Sequence, residues 1–304
     1  MMNSAITRVQ AQYLEALLKA GSFAAAAQTL HISQPALTMQ IQRLERIVGG
    51  ALVNRASRPI QATPLAQKLL PHLLEVLRRF EDLEDAIADQ QEHLKGHLHI
   101  AAIPTIAPYL LPTILPKLVD AHPDIQMDIE ELPTEQLLEA ILQERVDVGI
   151  MALPISHSLQ HLDILPLWTE RLWVYHLEGA CQSAVTLDAL KKWPTYLLAK
   201  GHCLRDHVMG LCDPTVSTQR QGLHYQSGSL ETLMRLVDHQ GGITIIPDMA
   251  RNQLSKAQQA ANTSAIASDL AQRQIVIVFK HTLQKKRLLE ALRIGTLSYL
   301  QSHA

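Results

Sequence analysis

The chain has 304 residues, 47% of them apolar, and a formal net charge of −2, enough apolar mass for more than one core and a length that predicts two or three domains. No run of about 18 uncharged apolar residues occurs, and MMNSAITRVQ carries no apolar stretch behind a positive flank. These features argue for a cytoplasmic chain, expected to be neither secreted nor membrane-spanning. Three cysteines are too few for a disulfide framework, so any disulfide is expected to be transient or regulatory; no metal site and no cofactor is expected.

Charge is unevenly spread. Residues 1–65 hold Arg8, Lys19, Arg43, Arg46, Arg55 and Arg58 against Glu15 and Glu45, a net of +4, while the remainder is acidic. A small basic module on an acidic body suits nucleic-acid binding. In TRVQAQYLEALLKA, Val9, Tyr13, Leu17 and Ala20 share a helical face and Gly21 stops the helix. Ser22 caps a short alanine-rich helix, FAAAAQTL, which ends at the corner Leu30-His31-Ile32. Ser33 then caps a third helix, with Pro35 in its first turn. In SQPALTMQIQRLERIVGG the inward stripe is Leu37, Ile41, Leu44 and Val48, and Gln34, Thr38 and Gln42 recur on the opposite side beside Arg43 and Arg46. Such a polar face on a solvated helix is common. After a short helix and a tight turn it predicts a helix-turn-helix whose second helix reads the major groove. LVNRASRPIQAT reads as two short strands around a basic turn, a wing with Arg55 and Arg58 aimed at the DNA backbone.

Through "GSFAAAAQTLHISQPALTMQIQRLE" and "ALVNR...ATPLAQ", residues 8–67 resemble the winged helix-turn-helix of LysR-type transcriptional regulators. The resemblance implies double-stranded DNA as partner, with Ser33, Gln34, Pro35, Thr38, Gln42 and Arg43 at the major groove and Arg55 and Arg58 on the phosphate side. Gly50 stands where the family usually has a bulkier pair.

Residues 66–95 form a linker helix with Leu69, Leu73, Val76, Phe80, Leu83 and Ile87 at spacings of four and three, a seam that wants a partner helix. Packing on the chain's own body is the alternative to self-pairing. Pro71 is expected to kink or break this helix.

From His97 onward short apolar runs alternate with amphipathic segments. HLHIAAI, IQMDIEEL and VDVGIMAL read as strands, and IAPYLLPTILPKLVDA and TEQLLEAILQE as helices between them, a βαβαβ order with a mainly parallel sheet. A second such set follows from residue 168: RLWVYHL, PTYLLA and GITIIP as strands and SLETLMRLVDHQ as a helix capped by Ser229 and closed by Gly241. QIVIVFK adds a strand, and a final helix 283–302 returns to the first set. The fold class is therefore α/β: a winged helix-turn-helix (1–65), a linker helix (66–95), and two lobes (96–167 with 272–304, and 168–271). The lobes resemble the periplasmic-binding-protein-like regulatory domain of the same family, whose interlobe cleft is the default ligand site.

"GHCLRDHVMGLC", residues 201–212, holds two of the three cysteines. A zinc site from Cys203, Cys212, His202 and His207, two buried structural thiols, a catalytic thiol and a redox sensor are all open readings of these residues. His202, Arg205, Asp206 and His207 give Cys203 a polar, partly cationic neighbourhood of the kind that favours a thiolate and opens it to oxidants. Leu204, Val208 and Leu211 predict a helix. Nine residues of helix part the two Cα atoms by about 13 Å and put the side chains on opposite faces, whereas a disulfide tolerates at most about 7 Å. Bonding the pair requires the helix to unwind, and closing so short a loop removes about 2.7 kcal/mol of chain entropy from competing states.

The same stretch, with "IPTIAPYLLP" (103–112), "PTEQLL" (133–138) and "SGSLETL" (227–233), resembles the OxyR-type hydrogen peroxide sensors within that family, over essentially the whole chain. The resemblance implies Cys203 as the peroxidatic thiol and Cys212 as the resolving one. Thr105, Thr134, His202 and Arg273 are the candidates for holding peroxide, with Arg205, Asp206, His224 and Glu231 around them. A threonine at a strand end is otherwise a helix cap, and an arginine before a strand is otherwise solvated; Cys181 reads as a bystander. The expectation is a peroxide-sensing, non-enzymatic regulator acting as a dimer of dimers, reset by a thioredoxin-like or glutaredoxin-like reductant, with RNA polymerase as a further partner. A regulator answering a small organic anion in the cleft and a thiol peroxidase are the rivals.

Overall fold

The computed structural model describes residues 6–88, 94–179, 184–211 and 227–303, and the chain divides into two compact units, Met1–Ile87 and Ala88–Ala304. Among the described residues no helix is long and apolar enough to cross a membrane.

In the first unit α1 (Arg8–Ala20), α2 (Phe23–Thr29) and α3 (Gln34–Val48) precede the wing strands β1 (Val53–Asn54) and β2 (Gln61–Ala62). Thr7 and Gln10 form a capping box on α1, Ser22 accepts from the Ala25 N–H and Ser33 from the Ala36 N–H, so each helix start is satisfied by a local side chain. Gly21, at φ 67°, ends α1 in the left-handed region. Leu14, Leu17, Leu37, Ile41, Leu44 and Leu52 are fully buried. The inward face of α1 differs from the apolar spacing: Val9 is 46% exposed, and Gln10 is buried beside Ala11. Gln10 can take that place because its amide bonds the Thr7 N–H and Gln40, a compensation that apolar periodicity does not register.

The helix α4 (Pro64–Ala88) is continuous through Pro71, against the expected break. A proline removes one helical hydrogen bond, and here the turns around it are anchored: Leu73 and Leu77 join the core of the first unit. The expected seam is thereby split. Val76, Phe80 and Leu83 stay exposed, with the Arg8 guanidinium 5.3 Å above the Phe80 ring.

In the second unit β3 (Gly96–Ala102), α5 (Ala107–Ala121), β4 (Ile125–Glu131), α6 (Thr134–Leu142) and β5 (Val148–Leu153) form the expected βαβαβ set. Then come β6 (Leu162–His176), α7 (Leu187–Leu190), α8 (Cys203–Leu211), α9 (Leu230–Gln240), β7 (Ile243–Pro247), α10 (Asp248–Arg251), α11 (Lys256–Asn262), β8 (Thr263–Ala265), β9 (Gln272–Lys280) and α12 (Lys286–His303). The sheet order is β4-β3-β5-β9-β6-β7, with β8 also on β6. The pairs β3–β4 and β3–β5 are parallel; every pairing of β6 and β9 is antiparallel.

Two expectations for this half are corrected. The strand expected at RLWVYHL begins at Leu162 and runs fifteen residues, so β6 pairs β9 with its first part and β7 and β8 with its last. PTYLLA is not a strand. Thr195 bridges Ile243 and Leu198 bridges Ser227, and hydrogen bonds to two different neighbours three residues apart make no ladder.

One core gathers around β3, β5 and β9 with α5, α6 and α12, and the second around the end of β6 with α8, α9 and β7. Leu204, Val208 and Leu211 pack into the second core, and Cys203, the residue before them, into the first. The start of α8 thus stands at the junction of the two cores.

Candidate thiol site

Thr105 and Thr134 lie just beyond the C-terminal ends of the adjacent parallel strands β3 and β4, the end of an α/β sheet where ligands gather. Both are 2% exposed. Neither hydroxyl caps its own helix. Thr134 Oγ1 accepts the Cys203 N–H at 3.2 Å, and Thr105 Oγ1 accepts from Arg273 Nη1 at 2.8 Å.

Arg273 is not a solvated residue ahead of a strand. It lies inside β9 and is 1% exposed, the largest fully buried side chain among the described residues. Its Nε donates to Glu170 Oε1 at 2.7 Å and its Nη2 to the Thr105 carbonyl at 3.0 Å. Glu170 Oε2 in turn accepts the Met249 N–H at 3.1 Å. Burial pushes the Glu170 carboxyl up, against the pull of the Arg273 guanidinium and the Met249 N–H. Burial also carries the nearby Tyr109 hydroxyl up to about 12, with Glu231 adding to the rise and Arg273 opposing it. Glu170 was missed in the sequence, although the alternation of β6 places it in step with the buried Leu172 and Val174. A carboxylate at such a position requires a buried cation.

Cys203 is the first residue of α8 and only 4% exposed. The expected exposure of the thiol is therefore corrected to burial: the apolar stripe of α8 draws the helix start into the seam between the cores. Gly201, at φ 90°, makes the turn into α8. His202 is buried, and burial lowers its pKa. Arg205 Nη1 donates to the Leu198 carbonyl at 2.7 Å, and the Ser156 hydroxyl donates to Asp206 Oδ2 at 3.5 Å, so these two tether α8. His207 Nε2 lies 3.0 Å from the Leu270 carbonyl. Glu231 pairs with Arg235 on the exposed side of α9. Cys181, Cys212 and His224 lie outside the described residues.

In the first unit Gln34, Pro35, Gln42 and Arg43 are exposed on α3 and Thr38 is half-buried, its hydroxyl donating to the Gln34 carbonyl. Ser33 serves as the helix cap. Arg55 is exposed, with its Nη2 2.9 Å from Glu45 and its guanidinium over the Phe23 ring. Arg58 Nη1 donates to the carbonyls of Arg55 and Ser57, closing the wing turn on itself. The soft Gly50 segment is compatible with a packed wing, since Leu52 and Val53 are buried.

Two family models match the chain: a bacterial regulatory helix-turn-helix of the lysR family over residues 9–67, and a LysR substrate binding domain over residues 91–293. A hydrogen peroxide-inducible genes activator of Dickeya chrysanthemi is 36% identical over 242 residues, 79% of this chain and 78% of that protein. A peroxide-bound cysteine mutant of Corynebacterium glutamicum OxyR is 28% identical, with a TM-score of 0.65 over 98% of this chain and 93% of the other. A full-length OxyR cysteine variant from Pseudomonas aeruginosa, 24% identical, shares the fold at a TM-score of 0.72 over 96% and 98% of the two chains. The chain belongs to the LysR family of DNA-binding transcriptional regulators, and within it to the OxyR-type branch.

Proposed function

We propose that the chain is a transcriptional regulator that senses hydrogen peroxide through a reversible Cys203–Cys212 disulfide. The observation that carries this reading is the length of α8. From Cys203 to Leu211 it is intact helix, which sets their Cα atoms about 12 Å apart. A disulfide allows roughly 7 Å between Cα atoms, so a bond that closes across α8 is not compatible with the intact helix. Oxidation must unwind α8, and a chemical event becomes a change of fold.

The threonines supply the chemistry. One lone pair of each hydroxyl is taken by an N–H, from Cys203 for Thr134 and from Arg273 for Thr105, so each O–H is left to act as a donor. Peroxide accepts from these donors, and Arg273, committed to Glu170 and Thr105, acts through Thr105. His202, buried and held toward its neutral form, adds a further polar atom. The Cys203 thiolate attacks one peroxide oxygen. An S–O bond forms, the O–O bond breaks, and hydroxide leaves and is protonated to water. The Cys212 thiolate then attacks the sulfenic sulfur, expelling a second hydroxide; two thiols and one peroxide give one disulfide and two waters. A dithiol reductant of the thioredoxin or glutaredoxin class reverses the step by exchange.

We assign DNA contact to the exposed Gln34, Pro35, Gln42 and Arg43 with Thr38 and the cap Ser33 beside them and the exposed wing residues Arg55 and Arg58 on the phosphate side, residues 1–65 forming the reader, 66–95 the dimer helix and 96–304 the two-lobed sensor, in a cytoplasmic dimer of dimers that engages RNA polymerase. The test is peptide mapping after sub-stoichiometric peroxide, with an operator footprint in parallel. A 203–212 crosslink that changes the footprint is expected. Oxidation without that crosslink, or a footprint unchanged by it, overturns the proposal.

A further inference from the structure

The start of β3 carries a cluster that the thiol site does not use. We propose that His97, His99 and Asp128 form a binding site for a divalent transition-metal ion. His97 and His99 are two residues apart on β3 and so share a face of the sheet, and the parallel register sets Asp128 of β4 beside His99. His97 Nε2 lies 3.3 Å and His99 Nδ1 3.7 Å from Asp128 Oδ2. The two rings are 4.1 Å apart and inclined at 42°, and one ligand atom from each of the three residues falls within 4.8 Å of the others. Donors about 2.1 Å from a tetrahedral centre are about 3.4 Å from one another, and the two His–Asp spacings straddle that value.

The backbone beneath the rings is clamped. Asp147 Oδ2 accepts the His99 N–H at 2.8 Å, and Lys285 Nζ donates to the His97 carbonyl at 2.8 Å and to Asp147 at 3.1 Å. The Lys285 and Asp147 side chains are 0% and 6% exposed, so a buried ion pair fixes the strand from which both imidazoles project. The histidine side chains are about a quarter exposed and that of Asp128 is 60% exposed, which gives an ion a way in and leaves positions for water. Two imidazoles and one carboxylate suit zinc, nickel, cobalt or copper, not the oxygen-seeking calcium or magnesium.

The test is titration of the reduced full-length chain with Co²⁺, read by its visible d–d absorption and by competition with Zn²⁺. One bound ion without a thiolate-to-metal charge-transfer band is expected. His97→Ala with His99→Ala should weaken binding at least about 100-fold, and Asp128→Asn about tenfold. Cys203→Ser and Cys212→Ser should leave it unchanged, and metal-free melting curves establish that each variant is folded. Three results overturn the proposal: a Kd of about 1 mM or weaker, as for an ordinary surface histidine pair; binding that survives loss of both histidines; or a thiolate band abolished by Cys203→Ser, which places the ion on sulfur.

Discussion

Glu170→Ala tests the buried framework behind the threonines. Arg273 and Glu170 have side chains only 1% and 3% exposed, joined at 2.7 Å. Deleting the carboxylate strands a guanidinium in the core and orphans the Met249 N–H; breaking a buried pair from one side costs about 3–5 kcal/mol. For a unit the size of Ala88–Ala304, each kcal/mol moves the midpoint by about 2–4 °C, so calorimetry of the full chain should show that unit melting about 6–20 °C lower. Replacing both partners with apolar residues, Glu170→Leu with Arg273→Met, removes both desolvation penalties together. It should recover most of the loss, while the rate of Cys203 sulfenylation stays depressed because Thr105 has lost the donor that orients it. A drop of less than about 3 °C in the single variant, or a double variant as unstable as the single, refutes the reasoning. So does a double variant that reacts with peroxide at the full rate.

Thr134→Val removes the hydroxyl that holds the Cys203 N–H and should slow trapping of the sulfenic acid by a nucleophilic probe at least about tenfold, with Thr134→Ser retaining most of the rate. Burial lowers the His202 pKa, so the unfolded chain takes up its proton first as pH falls below about 6.5. Stability should fall with acid in that window, and His202→Asn should flatten the slope in denaturant melts at successive pH values. On the exposed face of α4, Leu83→Glu should weaken self-association in sedimentation at micromolar concentration without lowering the melting midpoint of the first unit, because Leu83 is 56% exposed.

Local signals in the sequence carried helix starts well in both units. Ser22, Ser33 and Ser229 cap the helices they precede, and α8 covers the stretch its apolar spacing marks. Long-range pairing was less legible. The span of β6 follows from β9 lying beside it, and β9 is about a hundred residues away in the chain. The burial of Cys203 follows from two cores meeting at the start of α8, whereas its polar sequence neighbours Arg205 and Asp206 bond Leu198 and Ser156. The resemblance brought Arg273 forward as a site candidate, but its burial against Glu170 on the paired strand is not legible in the sequence. His97, His99 and Asp128 become a cluster only through the parallel register of β3 and β4.

The burial of α8 also bears on the redox potential of the proposed disulfide. Leu204, Val208 and Leu211 are 2%, 3% and 5% exposed, and each contributes about 1.5–3 kcal/mol by its burial. Unwinding α8 therefore forfeits up to about 5–9 kcal/mol before any of them finds a new place. At about 30 mV for each 1.4 kcal/mol of a two-electron couple, that cost makes the disulfide about 100–190 mV more oxidising than the same bond in an unfolded chain. A peptide of residues 201–212 supplies that reference, titrated beside the protein in a glutathione buffer. If re-burial of these leucines and the valine recovers part of the cost the gap shrinks, but a gap below about 30 mV would mean that the native helix does not oppose the bond. Leu204→Ala with Leu211→Ala should move the protein toward the peptide. A shift in the opposite direction would show that the core packing of α8 favours the oxidised form, contrary to its burial in the helical one.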